Sequence, residues 1–134
     1  MSSVWSGFVA LAHDGRLKTV PQVLDELERN DPEGYERLNA VRRQIVIANA
    51  DYVSAVQAIL GVFPTLVRAD AISDPADPWL IAVAVRNSYI VVCNELPSAV
   101  RRRPDGKIRI PDVCAHYKIP WIDVDELVIQ EGLG

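Results

Sequence analysis

Glu26, Asp77 and Glu95 are the residues of this chain whose type and placement point to chemistry. Each falls where a parallel α/β sheet would carry it towards its carboxyl edge. Glu26 is late in an amphipathic stretch, Asp77 opens an apolar one, and Glu95 directly follows the run Tyr89 to Cys93. Clustered carboxylates bind Mg²⁺ or Mn²⁺, hard cations that prefer oxygen ligands, and such a centre orients water for attack on a phosphodiester. The same residues have plainer readings. Asp77 before Pro78 spells a helix cap and first turn, Glu26 beside Asp25 and Glu28 fits a solvated helix margin, and Glu95 opens a loop where polar residues are ordinary.

The elements that must position these acids follow from periodicity. Val4, Phe8 and Leu11, with Trp5, Val9 and Ala12, recur at helical spacing, and Gly15 stops that helix. An extended piece from Arg16 to Thr19 leads to a second helix, with Pro21 in its first turn and Val20, Val23, Leu24 and Leu27 on one face. Asp31 and Pro32 start a third, carrying Tyr35, Leu38 and Val41 towards Gln44, and Ile45 to Ala48 reads as a buried strand. Asn49 is placed to cap a helix through Val53, Val56, Ile59 and Leu60, ending near Gly61, before a polar loop through Arg68, Asp70 and Ser73.

From Asp77 the chain reads D-P-W-L-I-A-V-A-V-R-N, apolar nearly all round, which predicts a helix in the interior. Tyr89 to Cys93 is then a short continuous apolar strand of the parallel-sheet kind. Leu96 to Ile110 reads as loop, Pro111 to Tyr117 as a short helix, Pro120 to Ile122 as a last strand, and Asp123 as the cap of a final helix with Val124, Leu127 and Val128. Short strands joined by helices imply an α/β sandwich with a mostly parallel sheet, whose ligands sit at the carboxyl ends of the strands.

Composition bounds the rest. The 134 residues suit one domain, 1–134, and a hydrophobic fraction of 49% with 24% charged residues is far from the composition of disorder. No apolar run reaches the length of a membrane span, and Val4 to Ala12 has no basic residues before it and no cleavage pattern behind it, so a cytoplasmic location is expected. Cys93 and Cys114 lack metal or redox spacing and read as buried thiols in a reducing compartment. A net charge of −4 argues against coating nucleic acid by global electrostatics. Locally, Asp25 to Glu36 is acidic, whereas Arg101, Arg102, Arg103, Lys107 and Arg109 crowd one stretch. His13 and His116 stand apart as surface or partly buried residues, and Trp79 and Trp121 as core. No Walker motif, GxGxxG or Ser-His-Asp order supports another enzyme class.

The wording around the acids adds a resemblance. V-P-Q-V-L-D-E-L (Val20 to Leu27), A-D-P-W-L-I-A-V-A (Ala76 to Ala84), Y-I-V-V-C-N-E (Tyr89 to Glu95) and K-I-R-I-P-D-V-C (Lys107 to Cys114) together resemble the PIN-domain superfamily. Nearest is a PIN-like branch long described as a domain of unknown function, marked by I-P-D-V-C and the D-P-W/F-L-I-A helix. The likeness runs from the Trp5 helix to the Leu127 helix. It implies a three-layer sandwich and a metal-dependent ribonuclease, commonly the toxin of a bacterial toxin-antitoxin pair, using Mg²⁺ or Mn²⁺. By this resemblance Glu26, Asp77 and Glu95 match the family's acids and serve catalysis and metal binding, with Asp112 as a fourth acid or a supporting group. Cys93 and Asn94 replace the family's usual Thr and a variable residue. The basic residues Arg101, Arg102, Arg103, Lys107 and Arg109 would overhang the acidic edge and engage RNA phosphates, while an exposed charged loop is the plainer reading. The expected partners are RNA, an antitoxin protein and a second copy of the chain, without a membrane.

The chain departs from the family at its start. The family opens with a hydrophobic strand ending in an Asp, mid-sheet, and nothing before Trp5 matches it. Either the given start lies downstream of the true one, or a central strand and one metal ligand have been lost. An absent internal strand leaves unpaired backbone on both neighbours, so a dimer or a bound partner strand is expected. Two functions follow: the nuclease, or a catalytically degenerate PIN-like module that binds a protein partner or itself.

Overall fold

The computed structural model describes residues 2–67, 75–95 and 108–133. It is a mixed α/β structure, mostly helical, with little sheet. Helix α1 (Ser2–His13) packs on α3 (Pro32–Asn39) and on the short α4 (Arg42–Ile45). Its Trp5 and Phe8 meet edge to face, centroids 5.3 Å apart. Gly34 of α3 is what lets Trp5 approach, since a Cβ there would overlap the indole ring. Helix α2 (Pro21–Asn30) begins on a proline whose missing N–H would be unpaired anyway, and Asp31 accepts the Gly34 amide at 3.1 Å to start α3.

Helix α5 (Val53–Val62) lies against α6 (Ala76–Asn87), the interior helix, in which Ile81, Ala82, Val83 and Ala84 are all buried. Strand β1 (Val91–Val92) pairs in parallel with β2 (Trp121–Ile122), Val91 opposite Trp121. Each helix leading into this pair ends in the left-handed region, α6 at Ser88 (φ 56°) and α7 (Ile110–Tyr117) at Lys118 (φ 58°), which turns the chain sharply into the strand. Helix α8 (Val124–Glu131) follows β2, capped by Asp123, which accepts the Glu126 amide at 2.8 Å. Apart from this pair, one parallel bridge among the described residues joins Thr19 to Val46, with Thr19 donating to the Ile45 carbonyl and accepting from Ile47, both at 2.9 Å.

Several expectations need correction. The third helix stops at Asn39 and Ile45 ends α4, so the expected strand over Ile45 to Ala48 shrinks to the Val46 bridge. Asn49 caps nothing; its amide donates to Gln22 at 2.7 Å, and a 3-10 turn at Ala50–Tyr52 precedes α5. Asp77 is not the cap of α6, which starts one residue earlier with Pro75 at the cap position. Tyr89 and Ile90 belong to the exposed approach to β1, not to the strand. The polar loop through Arg68, Asp70 and Ser73 lies outside the described residues, as does most of the expected loop from Leu96. Parallel pairing holds, while the described strands make two short parallel pieces and not one continuous sheet.

The apolar side chains form two clusters. One, with Ala12, Leu24, Leu38, Val41 and Ile45, lies among α1 to α4; the other surrounds α6 and includes Val20, Val56, Ile81, Val91, Val113 and Cys114. Helix α2 straddles them, with Val23 packed against the larger and Leu24 in the smaller. No helix among the described residues is long and apolar enough to cross a membrane.

Candidate metal centre

Three elements converge at the carboxyl ends of the strands. The amphipathic character of α2 buries Leu24 completely and leaves Glu26 half-buried on the side facing α6. The Glu26 carboxylate accepts the Ala76 amide at 2.8 Å, so it supplies, from fifty residues away, the cap that α6 lacks locally. Asp77 is the next residue of that first turn, held between buried Ala76 and fully buried Pro78. Glu95 arrives from β1 through Cys93 and Asn94. Its two oxygens face the start of α7: one lies 3.5 Å from the Ile110 amide and the other 3.7 Å from the Arg109 guanidinium. Both side chains of that ion pair remain one-third exposed, 34% each, which keeps it weak.

The electrostatics show that these groups sense one another. Burial pushes the Asp77 carboxyl up to about 6, the negative charges of Glu95 and Glu26 push in the same direction, and Arg109 opposes them. The Cys93 thiol is raised as well, first by burial and then by Glu95, Asp77 and Asp123, so it stands neutral at the rim. Cys114, wholly buried, is pushed up to about 12 by burial.

Glu26, Asp77 and Glu95 come together from three separate elements. Asp112, in the first turn of α7, reaches back to accept the Arg109 amide at 2.9 Å, fixing the turn that carries the guanidinium. Arg109 itself faces Glu95, an ion-pair role its place in a basic run did not suggest. Arg101, Arg102, Arg103 and Lys107 lie outside the described residues. His13 and His116 are exposed, the latter edge-on to Phe63 and Tyr117. Asp123 was read only as a helix cap, yet its charge reaches Cys93. The sequence signal was present, since Asp123 directly follows β2 as Glu95 closely follows β1.

The acids fit a hard cation in kind. They are oxygen donors, grouped and half-buried, and the repulsion that adds to burial in raising Asp77 is of a kind a divalent cation would offset. As arranged, no group of three or more His, Cys, Asp or Glu side chains among the described residues closes around one point, because Glu26 is turned to Ala76 and Glu95 to α7.

The family model described as "Domain of unknown function (DUF4411)" matches residues 1–133. The chain belongs to that family. No curated protein and no solved structure matches it. In this DUF4411 member the acids of α2, α6 and the end of β1 form the half-buried charged corner of the fold.

Proposed function

We propose that this chain is a PIN-like, metal-dependent ribonuclease that cleaves RNA phosphodiesters with Mg²⁺ or Mn²⁺ and serves as the toxin of a bacterial toxin-antitoxin pair. The observation that carries the reading is the electrostatic coupling of Glu26, Asp77 and Glu95, which come from α2, α6 and the end of β1 to one half-buried corner. That repulsion, added to burial, is only partly offset by Arg109, and a divalent cation would relieve the rest. The metal would supply charge neutralisation at the scissile phosphate. Glu26, Asp77 and Glu95 would hold it, Asp112 would keep the Arg109 turn in shape, and Arg109 with Arg101, Arg102, Arg103 and Lys107 would meet RNA phosphates.

The test pairs Mn²⁺ titration with cleavage of a single-stranded RNA by the intact protein. Asp77→Asn is expected to remove both metal binding and cleavage while leaving the helical signal in circular dichroism intact. Parental cleavage by that variant would sink the assignment.

One observation favours a second reading, a PIN-like module that binds a protein partner without catalysis: Glu95 already has Arg109 as a counter-charge and Glu26 already has a backbone donor. That reading predicts no Mn²⁺ affinity and a stable complex with a partner.

A further inference from the structure

The surface beside α4 is cationic, in a chain whose net charge is −4. Val41 and Ile45, four residues apart, are both buried in the smaller apolar cluster, so Arg42, Arg43 and Gln44 between them are turned outwards and exposed. With Asn39 and Ala40 they line an open depression of about 420 Å³ to which no carboxylate contributes. Lys18 joins its edge. It stands in the wall of the apolar slot of about 240 Å³ between the two strand pieces, and its ammonium reaches out to donate to the Gln44 carbonyl at 3.1 Å.

These cations are held in place but not neutralised. Arg42 donates to the Asn39 side-chain oxygen at 3.1 Å and Lys18 to a backbone carbonyl, both uncharged acceptors. The Arg43 guanidinium has no partner among the described residues, whereas Arg16 and Arg109 face Glu131 and Glu95. Three grouped positive charges with spare N–H donors suit an anion, and guanidinium forks match phosphate oxygens. The open, solvated setting favours a polymer over a single ion. One small anion gains little in high dielectric, while a strand with a phosphate on every nucleotide releases a counterion at each contact.

The patch stands apart from the acid corner, since Lys18 and Gln44 precede the Thr19–Val46 bridge and the acids follow the strand ends. The two are nevertheless within one ligand's reach. Lys18 lies three residues before Pro21, where α2 begins, and Glu26 five residues further along that helix, which holds their backbones within about 18 Å. A single strand of the length that such surfaces engage, about 4–16 nucleotides, covers both.

We propose that Lys18, Arg42 and Arg43 form a docking site for the sugar–phosphate backbone of single-stranded RNA, which positions the strand by its phosphates. No aromatic ring lines the depression, so bases are not stacked there and the contact is independent of sequence. The choice of RNA among polyanions rests on the nuclease reading; the patch itself uses none of the acids.

The probe is a fluorescein-labelled oligouridylate of about twelve nucleotides, titrated with the intact chain in EDTA so that nothing is cleaved, and read by anisotropy between about 50 and 200 mM salt. Arg42→Gln combined with Arg43→Gln removes two phosphate contacts. Affinity at about 50 mM salt is expected to fall at least about tenfold, and the slope of log Kd against log salt to shrink by about 1.4. Arg29→Gln combined with Lys118→Gln, exposed cations elsewhere, changes the net charge equally and is expected to alter affinity by less than about threefold. Neither pair touches the core, and circular dichroism checks that both variants are folded. Equal losses from the two pairs, an unchanged slope in the first, or no measurable RNA binding by the parent chain overturns the proposal. So does displacement of the RNA by oligoglutamate at equal charge, which would make an acidic polypeptide the occupant. Mn²⁺-dependent cleavage by the parent chain and its loss in Asp77→Asn are read separately, so a failure of the patch and a failure of the nuclease reading are told apart.

Discussion

The acid corner and the slot between the strand pieces are near neighbours that fall short in opposite ways. At the corner there is too much like charge for the burial, and Asp77 rises to about 6. In the slot there is too little contact, with some 240 Å³ unfilled between side chains that would otherwise form one core. Elsewhere the molecule is well satisfied. Ile81, Leu24, Ile45 and Val113 are fully buried, Asp31 and Asp123 each cap a helix, and Arg16 donates to Glu131 at 2.7 Å to tie α8 back to the start of the chain. Function is expected to concentrate where local satisfaction fails, and here those places are the corner and the slot.

The contrast can be broken most forcefully in the core. Ile81→Ala, in the packed part of α6, should cost about 2–5 kcal/mol in urea denaturation, whereas Leu80→Ala, one residue along but facing the slot, should cost about 1 kcal/mol. Equal losses would mean that the slot is closed in solution.

Next is the charge. A carboxyl raised above its unfolded value holds its proton more tightly in the folded state, so the contribution of Asp77 to stability is greatest at low pH. It is lost as pH climbs from the ordinary value of 3.8 to about 6. In the metal-free protein, Asp77→Asn should therefore raise stability by about 1–3 kcal/mol at pH 7.5, with the gain vanishing near pH 4. A variant less stable than its parent at pH 7.5 would show that the corner is not strained by charge.

Glu26 separates two roles at a smaller scale. Glu26→Ala removes the acceptor for the Ala76 amide and should cost about 0.5–2 kcal/mol, while Glu26→Gln keeps an acceptor oxygen and should change stability by less than about 0.5 kcal/mol. Both should lower the titration of Asp77, read by carboxyl-carbon NMR. The smallest effect belongs to Arg109→Gln, which removes a weak, one-third-exposed counter-charge: Asp77 should titrate higher still, with stability changed by no more than about 1 kcal/mol.

How much of this the sequence disclosed depended on the range of the forces involved. Helix starts were readable where one or two adjacent residues decide them: Pro21, Asp31 with Pro32, Pro111 and Asp123 all act as their types suggest. The interior character of α6 was readable from its unbroken apolar run. What local pattern could not carry was decided by distant partners. Asp77 before Pro78 resembles a cap, but the cap comes from Glu26 on another helix. Ile45 to Ala48 has the apolar content of a strand, but Ile45 completes a helical turn and only Val46 finds a strand partner. Tyr89 and Ile90 look like the start of β1, yet pairing begins at Val91, where β2 is available on one side. The three acids were identifiable by their wording; that Arg109 would face one of them was not, because the same arginine closes a basic run.

The hydrogen bond from Ala76 to Glu26 also makes the first turn of α6 a built-in gauge of the corner beside it. A ligand that takes Glu26 Oε2 for itself releases that amide, so occupancy through this oxygen is opposed by the cap and the first turn of α6 frays as such a ligand binds. The exchange rate of one backbone proton, at Ala76, would then report how full the site is, faster with ligand than without it.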